Sequence, residues 1–495
     1  MTQAALDAHG WRRLAEELVP RTELFVDGRW TPARSGATTP TTSPLDGRVL
    51  AHVASAGPED VDDAVAAARR AFDRGDWSRS APAERKRVLL RLADLVEEHA
   101  RELALLDTVD AGKLISETTT VDVPGTAATF RWYGEAVDKV YGEVAPTGPG
   151  DLALVTREPL GVVAAVVPWN YPLEIAAWKL APALAAGCSV VLKPAEESPL
   201  SALRLAELAH EAGLPAGVLG VVTGAGPVVG QALGRHPDVD AVAFTGSTAV
   251  GKLLLTYAGE SNMKQVWLEA GGKSPVLVFA DADLDAAAAG VVRGIFTNGG
   301  QVCSATSRLL VERSVKDALL ERVVPLVEAL RVGDPLDPGS QMGPLVSERQ
   351  VDRVMDHVGQ ARTEARLLTG GVRLDAPGCY VAPTVFDGVS PTSRLAVEEV
   401  FGPVLAVFDV EDEDDAVAAA NASGYGLAAS VWTSGLSRAH RVASRLRAGT
   451  VSVNTVDALD LTTPFGGFGL SGNARDLSLH ALQQYTALKT TWVSY

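Results

Sequence analysis

From Leu160 onward, short apolar segments alternate with helical ones, and this alternation constrains the fold more than any other feature of the chain. Strands are predicted at 162–167, 189–192, 218–222 and 239–244. Helices are predicted between them, at 178–186, 201–212 and 228–233. Strands that alternate with helices favour parallel βαβ units and a doubly wound sheet, an architecture typical of dinucleotide binding.

The same alternation resumes after Glu269 and predicts a second α/β region. Its strands are expected at 275–278, 307–311, 405–410, 428–433 and 450–454, and its helices at 286–296 and 315–330. A surface loop is expected at 334–339, and the acidic run 411–415 is interpreted as a solvated helix start. Towards the N-terminus we predict a loose helical leader over 1–20, a helix from Glu59 that Asp60 caps, and a helical stretch from 82 to 106.

Composition narrows the class of protein. A chain of 495 residues with 47% hydrophobic and 21% charged residues is typical of a globular protein with more than one domain. The net charge of -17 argues against a nucleic-acid partner. Residues 1–10 lack a signal-peptide pattern, no apolar run is long enough to span a bilayer, and three cysteines make no disulfide framework. We therefore predict a cytoplasmic protein that does not contact a membrane.

Cys303 is the candidate nucleophile. Its flanking Gly299, Gly300 and Gln301 predict a tight turn, where a thiol can meet a ligand, although a free cysteine is more often a buried structural residue. Cys188 and Cys379 keep that second interpretation. A reactive thiol here needs a helix N-terminus or a nearby base to form the thiolate.

Two further side chains complete a candidate catalytic set. Glu269 ends an apolar strand before two glycines, where poor solvation raises a carboxyl pKa towards the range of a general base. Asn170 lies on a turn between Pro168 and Pro172 and can donate to an oxyanion together with the Cys303 N–H. Considered alone, Glu269 would be an ordinary strand-end glutamate and Asn170 an ordinary turn asparagine.

Glycine-containing loops follow two of the predicted strands. The loop 223–230 contains Gly226 and Gly230 but departs from GxGxxG, so it is a weak fingerprint. The loop 244–251 is positioned to place Ser247 against a pyrophosphate at a helix N-terminus. Lys193 and Glu196 are candidates for the adenosine ribose, and a carboxylate there would repel a 2′-phosphate, which favours NAD over NADP. Scattered histidines and the absence of HExxH and GxSxG motifs argue against a metal site or a serine hydrolase.

Seven motifs resemble those of NAD(P)-dependent aldehyde dehydrogenases and occur in the same order. They are PWNYP at 168–172, KPAE at 193–196, FTGST at 244–248, EAGGK at 269–273, GQVC at 300–303, EEVFGP at 398–403 and PFGG at 464–467. The resemblance implies that Cys303 is the nucleophile, Glu269 the base and Asn170 the oxyanion donor, with Lys179 also in the active site. An aldehyde would be oxidised to a carboxylate through a cysteine thioester.

The resemblance also implies a cofactor site, a substrate tunnel and a domain plan. NAD would contact Val166, Pro168, Trp169, Lys193, Glu196, Gly226, Gly230, Phe244, Gly246, Ser247, Val250, Ala270, Gly271, Gln350, Arg353, Glu399 and Phe401. The α/β fold would comprise a Rossmann-like NAD-binding domain (20–139 and 158–269), a catalytic domain (270–469) and a β-arm for oligomerisation (140–157 and 484–495). Relatives are dimers or tetramers, so a homodimer or homotetramer is expected.

Within the family, segments 131–143, 263–270 and 471–482 resemble the γ-glutamyl-γ-aminobutyraldehyde and 4-guanidinobutyraldehyde dehydrogenases of putrescine and arginine breakdown. Ala270, where most relatives have leucine, is shared with that subgroup. Gly469, Ala474 and Asp476 depart from the common lysine, glycine and glutamate, which puts the tunnel shape and a proton relay in doubt. The alternatives are a broad-specificity aliphatic or 3-hydroxypropionaldehyde dehydrogenase and a catalytically silent structural protein; Glu269 argues against a CoA-acylating enzyme.

Acidic and aromatic side chains are candidates for the substrate tunnel. Asp122 matches an acidic position at the tunnel mouth of aminoaldehyde-oxidising relatives, and Asp457 and Asp460 precede PFGG. Carboxylates there would attract a cationic tail, although all three are equally well explained as surface aspartates. The remaining tunnel candidates are Trp132, Tyr171, Trp178, Val302, Ser304 and Phe465.

Overall fold

The computed structural model describes residues 6–495, so the start of the predicted leader, residues 1–5, lies outside the described residues. The helices are α1 Ala8–Glu16, α2 Pro58–Arg74, α3 Pro82–Glu98, α4 Ala100–Ala111, α5 Ile115–Glu117, α6 Val123–Ala136, α7 Pro172–Ala186, α8 Leu200–Glu211, α9 Gln231–Arg235, α10 Thr248–Gly259, α11 Leu284–Phe296, α12 Lys316–Glu328, α13 Glu348–Glu364, α14 Arg394–Val397, α15 Glu413–Asn421, α16 Leu436–Arg445 and α17 Ser478–Gln484. The strands are β1 Leu24–Val26, β2 Arg29–Thr31, β3 Thr38–Thr42, β4 Val49–Ala54, β5 Glu143–Ala145, β6 Asp151–Pro159, β7 Val162–Val166, β8 Ser189–Lys193, β9 Leu219–Val221, β10 Ala241–Gly246, β11 Gln265–Ala270, β12 Pro275–Val278, β13 Arg308–Glu312, β14 Arg366–Thr369, β15 Thr384–Asp387, β16 Val404–Val410, β17 Ala428–Trp432, β18 Thr450–Val453 and β19 Thr486–Ser494.

The first large sheet is built from the predicted βαβ alternation. Its strand order is β11-β10-β7-β8-β9-β1-β2, and the strands from β11 to β9 are parallel. Strands β7 and β8 are buried along their whole length, as expected for a parallel sheet covered by helices on both faces. Their carboxyl ends therefore define one edge of this sheet, where a doubly wound fold places its ligand.

The second large sheet follows β11 in sequence. Its order is β14-β15-β16-β13-β12-β17-β18, with only β14 antiparallel to its neighbour. Four aliphatic and aromatic clusters cover the faces of the two sheets. The predicted division into an α/β region before residue 269 and another after it matches these two sheets, whereas the exact domain boundaries stay a prediction.

A three-stranded sheet forms a separate arm. Strand β6 lies between β5 and β19, and nine residue pairs join β6 to β19 in antiparallel register, including Arg157 with Leu488. The predicted pairing of this segment with the C-terminal strand is therefore present. Most of β19 is exposed, with large apolar side chains at Leu488, Trp492 and Val493.

Two N-terminal expectations are wrong in detail. Asp60 is not the N-cap of α2: Gly57 holds that position, and the Asp60 carboxylate accepts the Gly57 N–H at 2.8 Å from the third helical position. The stretch 82–106 is two helices, α3 and α4, because His99 leaves the helical conformation between them. Periodicity continues across such a break, so the sequence pattern does not reveal it.

Candidate active site

The carboxyl ends of four neighbouring parallel strands bring together residues from distant motifs. Val166 pairs with Lys193 and with Phe244, and Gly246 pairs with Ala270. Glu269, one residue before the end of β11, lies beside Thr245. The predicted catalytic glutamate and the predicted cofactor residues thus share one edge of the first sheet.

Cys303 lies on a turn with left-handed backbone conformations. Asn298, Gly299 and Gly300 all have positive φ values, of 49°, 62° and 73°. A Cβ on Gly300 would lie 2.2 Å from the Gly402 carbonyl oxygen, so only glycine fits there. The turn leaves Cys303 partly accessible, whereas Cys188 and Cys379 are buried.

The environment of Cys303 holds the thiol protonated. Burial raises its pKa well above the usual range, and the negative charges of Glu269, Asp457 and Glu399 raise it further. The sequence called for a helix N-terminus or a base to lower this pKa. The structure instead surrounds the thiol with carboxyl groups, so Glu269 is the group positioned to remove the proton.

Asn170 is fixed by the loop that carries the cysteine. Its side-chain amide donates to the Gln301 carbonyl at 2.8 Å, and Asn298 donates to the Asn170 carbonyl at 3.0 Å. Gln301 is held in turn by Asn298 and by Val346 N–H. One N–H of the Asn170 amide remains for a ligand, on a side chain that is itself buried.

Glu269 is buried and accepts no hydrogen bond from any described residue. Burial raises its pKa well above the usual value, Asp476 adds to the shift, and Lys179 and Arg475 oppose it. A glycine, Gly466, faces the carboxyl group, where a Cβ would lie 3.0 Å from Oε2. A side chain at 466 would therefore crowd the carboxyl group.

Lys179 and Asp476 form a buried ion pair of 2.6 Å behind Glu269. The departure from glutamate to aspartate at 476 therefore keeps the contact to Lys179. At the other departures, Ala474 is buried, and Gly469 has a φ of 61° with the Gly424 carbonyl 2.6 Å from the position of a Cβ. A lysine does not fit at 469 without a change of backbone.

Glu399, the predicted contact of the nicotinamide ribose, lies against the backbone of two glycines. Gly272 N–H donates to Glu399 Oε1 at 2.9 Å, and a Cβ on Gly271 would lie 2.1 Å from Glu399 Oε2. Burial raises the pKa of Glu399 to about 7, against the opposing effects of Gly272 N–H, Arg353 and Lys273. Phe401, with a φ of 57°, packs edge-on against Trp169.

A second carboxylate lies where adenosine is expected. Glu196 accepts the Gly226 N–H at 2.5 Å and lies 3.2 Å from Lys193 Nζ. Burial alone would raise the Glu196 pKa, but Lys193 and the Gly226 N–H outweigh burial and leave it below its ordinary value. An ionised carboxylate therefore lies at the position predicted to contact the adenosine ribose.

The other predicted cofactor residues divide into two groups. Ser247 caps α10 by accepting the Val250 N–H at 3.3 Å, and Gly230 ends the short π-helix Gly226–Gly230 before α9. Gln350 and Arg353 on α13 instead donate to the carbonyls of Phe401 and Glu399, both at 2.7 Å. They hold the backbone of the Glu399 segment, and their direct contact with a cofactor stays a prediction.

An apolar wall leads to the cysteine. Trp178 packs edge-on against Phe465 with 5.6 Å between ring centroids, and both belong to a cluster with Leu427 and Leu477 that contacts Cys303. Val302 is buried in the neighbouring core. Trp132 is half-buried and packs edge-on against Tyr133, and its place in the tunnel stays a prediction.

The three predicted tunnel aspartates have three different environments. Asp122 is fully buried, so it is not a surface residue, and lies 3.3 Å from the buried Lys113 Nζ. Asp457 belongs to an exposed loop, but its carboxylate accepts the Ser304 hydroxyl at 2.6 Å and influences Cys303. Asp460 is exposed and accepts from the backbone and hydroxyl of Thr462, which is the arrangement of a surface turn.

Sequence reasoning missed the residues around Asp122. Lys113 Nζ lies 3.4 Å from the ring centroid of Tyr171, and Asp107, Glu117 and Glu174 all interact electrostatically with Asp122 and Lys113. These four carboxyl groups and the lysine are called the acidic cluster below. Glu174 is three residues after Tyr171 on the same helix face, which is the signal that was available.

A model of the aldehyde dehydrogenase family matches residues 30–491 of this sequence. The chain belongs to the aldehyde dehydrogenase family. It is thus an oxidoreductase that acts on aldehydes with a nicotinamide cofactor. The predicted fold and the predicted family are confirmed.

Three similar proteins place this dehydrogenase more closely. The NADP/NAD-dependent aldehyde dehydrogenase PuuC of Escherichia coli K12 is 52% identical over 98% of both chains. The solved γ-glutamyl-γ-aminobutyraldehyde dehydrogenase of Burkholderia cenocepacia is 55% identical, with a TM-score of 0.97 over 99% of this chain and 100% of that one. The indole-3-acetaldehyde dehydrogenase AldA of P. syringae, solved with NAD+ and IAA, is 53% identical, with a TM-score of 0.98 over the same shares.

Among the described residues, membrane-spanning helices and clustered metal ligands are both absent. Within residues 6–495, no helix is long and apolar enough to cross a membrane. In the same range, no group of three or more histidine, cysteine or acidic residues is arranged to hold a metal ion.

Proposed function

We propose that this dehydrogenase oxidises an amine-derived aldehyde with a cationic tail to the carboxylate, with NAD as cofactor and Cys303 as nucleophile. The observation that carries the chemistry is that Glu269 acts electrostatically on the partly accessible Cys303, while Asn170 is bound to the loop that carries this cysteine. Two substrates are proposed: 4-guanidinobutyraldehyde, whose tail is a cation, and γ-glutamyl-γ-aminobutyraldehyde, part of a relative's name, whose tail carries an ammonium group together with a carboxylate.

The reaction is balanced by these side chains. Glu269, after losing its own proton to solvent, takes the thiol proton, and the Cys303 sulfur bonds to the aldehyde carbon while the oxyanion accepts from the Asn170 amide and the Cys303 N–H. NAD, when bound, supplies the acceptor for the hydride that leaves this carbon, which produces a thioester. Glu269, after losing its proton to solvent, takes a proton from water as the water attacks the thioester, and the carboxylate and thiol are released.

Glu399 and Glu196 divide the work of holding NAD. Glu399 faces the nicotinamide side, beside Gly271 and the Trp169–Phe401 pair. Glu196 is held ionised by Lys193, so it accepts from ribose hydroxyls and repels a 2′-phosphate. NAD is therefore expected to be preferred to NADP.

The acidic cluster supports a cationic tail. Four carboxyl groups are arranged around one lysine beside Tyr171, a ring that already binds the Lys113 ammonium on its face. A guanidinium or ammonium group on the substrate would supply the charge that this arrangement lacks. Neutral tails gain no such interaction.

A second candidate is a dehydrogenase of broad specificity for apolar aldehydes. The Trp178–Phe465 wall favours it, since apolar and aromatic tails bury well against such rings. The similarity to an indole-3-acetaldehyde dehydrogenase at 53% identity points the same way.

The two candidates differ in a steady-state assay of NADH formation. Purified enzyme is given NAD and, separately, 4-guanidinobutyraldehyde, γ-glutamyl-γ-aminobutyraldehyde and hexanal, each with and without CoA. Higher kcat/KM for the amine-derived aldehydes, independent of CoA, is the proposed result. Equal kcat/KM for hexanal would establish the broad-specificity enzyme instead.

We also propose that the arm joins two or four copies of the chain in the cytoplasm. The arm exposes Leu488 and Trp492 on β19 and Tyr495 directly after it, and a contact between subunits would bury these side chains. All three cysteines are free, as is typical of a reducing compartment.

A further inference from the structure

Glu174 is the member of the acidic cluster that shares a helix with Trp178. It lies in the first turn of α7, four residues before Trp178 on the same helix face, and Tyr171 is the N-cap of that helix. Tyr171 touches the acidic cluster through Lys113, and Trp178 touches the cluster around Cys303. Glu174 therefore lies between the charged part of the wall and the reacting thiol.

A glycine on the opposing helix makes room for this carboxyl group. A Cβ on Gly125 of α6 would lie 2.8 Å from Glu174 Oε1. Glu174 is half-buried, and its carboxyl group has no hydrogen-bond partner among the described residues. A half-buried carboxyl group without a partner is available to a ligand.

The neighbouring charges favour a cation as that ligand. Neither carboxylate oxygen of the buried Asp122 accepts a well-aligned hydrogen bond from a described residue, although Lys113 Nζ is 3.3 Å away. Asp122, Asp457 and Asp107 all act on Glu174, and Lys113 is the cation that opposes them. Asp457, which accepts from Ser304, extends the negative charge to the cysteine side of Glu174.

From this placement we propose that Glu174 is a specificity-determining residue, whose carboxylate pairs with the cationic tail of the aldehyde and ionises when that tail binds. The inference rests on the proposed function and deepens it by naming the group that selects the tail. It also explains how an acidic wall persists without a ligand, since a carboxyl group that is protonated in the empty tunnel costs little to bury.

The proposal makes selectivity depend on pH. Burial, together with Asp122, raises the pKa of Glu174 to about 8 in the empty tunnel, and Asp107 has a pKa of about 8 for the same main reason. The pKa values of Glu117, Asp122 and Asp457 are also raised by burial. A bound cation favours the ionised form, so binding releases a proton and strengthens as pH rises towards about 8.

The test compares two aldehydes of the same shape and different charge, 4-guanidinobutyraldehyde and 4-ureidobutyraldehyde. The guanidinium charge is constant over the range, and the ratio of the two kcat/KM values cancels the titration of Cys303 and Glu269. In the wild-type enzyme the ratio should favour the guanidino substrate and increase from about pH 6 to about pH 8. A wild-type ratio that favours the guanidino substrate but does not change with pH would contradict the proposal that Glu174 ionises when the tail binds.

Glu174→Gln keeps the shape of the side chain and removes the charge. Its selectivity ratio should fall about 10-fold or more, and a wild-type melting temperature shows that the variant is folded. Glu321→Gln removes an equal charge from an exposed site on α12 and should behave as wild type. A selective wild type with an equally selective Glu174→Gln would overturn the role of Glu174 and leave the substrate class standing. A wild type without selectivity would contradict the substrate class itself.

Discussion

At the scale of single residues, the thiol of Cys303 starts from its unreactive form. Burial and three carboxyl groups hold its proton, and the same burial holds a proton on Glu269. Activity therefore requires the loss of protons from both groups. Both pKa values are raised, so turnover should be lost as pH falls through them and recovered as pH rises.

Glu269→Gln should slow both halves of the reaction. Without the base, water cannot be activated, and steady-state turnover should fall by roughly 10²–10⁴. The rising limb of kcat against pH that Glu269 produces should disappear with it. The measurement is kcat across pH for both enzymes; a variant that keeps the wild-type pH profile and rate would contradict the assignment of the base.

Asn170→Ala should remove stabilisation of the transition state without weakening the binding of NAD. The lost amide donates to the oxyanion, so kcat should fall about 10²–10³-fold. NAD binding, measured by calorimetry on the same variant, should be unchanged. An equal loss in NAD affinity would indicate that the substitution disturbs the loop held by Gln301 and Asn298 rather than the oxyanion.

At the scale of elements, the turn 298–300 positions the nucleophile by bringing two loops into contact. Gly300→Ala should lower the melting temperature and abolish activity, because its Cβ would meet the Gly402 carbonyl at 2.2 Å and its φ is 73°. Gly359→Ala is the matched control: it lies inside α13, with no atom within 4 Å of the added Cβ. That change should stabilise the protein by about 0.5–1 kcal/mol. A thermally neutral Gly300→Ala would contradict this account of the turn.

The helices and strands show both what the sequence predicts well and what it does not predict. Parallel strands were predictable because buried strands such as β7 and β8 are continuous apolar runs. The break at His99 was not, since both helices continue one apolar pattern. Cys303 and Glu269 carry local glycine signals. No such glycine signal marks Lys113 or Glu174. Their proximity depends on how the segments around α6 pack against the start of α7.

At the scale of the whole molecule, the active site is shared by two sheets. Gly271 and Gly272 follow β11 of the first sheet, and they contact Glu399 and the Cys303 carbonyl, which lie between strands of the second. Any motion of one sheet against the other changes both the surroundings of Glu399 and the nucleophile. The arm leaves this unit and exposes its apolar side chains.

If the arm joins subunits, negative charge placed on β19 should dissociate the oligomer. Leu488→Asp combined with Trp492→Asp alters two exposed side chains, so each chain should fold while the oligomer dissociates. Light scattering after gel filtration should give the mass of one chain for the variant and a multiple of it for the wild type. Arg331→Asp, on an exposed side chain outside the arm, serves as the control for added charge. A variant that keeps the wild-type mass would exclude the arm as the contact.

The account depends most directly on a thioester at Cys303. Glu269→Gln, mixed at alkaline pH with NAD and 4-guanidinobutyraldehyde and quenched in acid, should accumulate it, because solvent hydroxide then removes the thiol proton, whereas the water of hydrolysis still has no base. Peptide mass spectrometry should find the acyl group on the peptide that contains Cys303, in an amount that approaches one per chain. An acyl group on Cys188 or Cys379, or NADH formation with no acylated cysteine, would contradict the account.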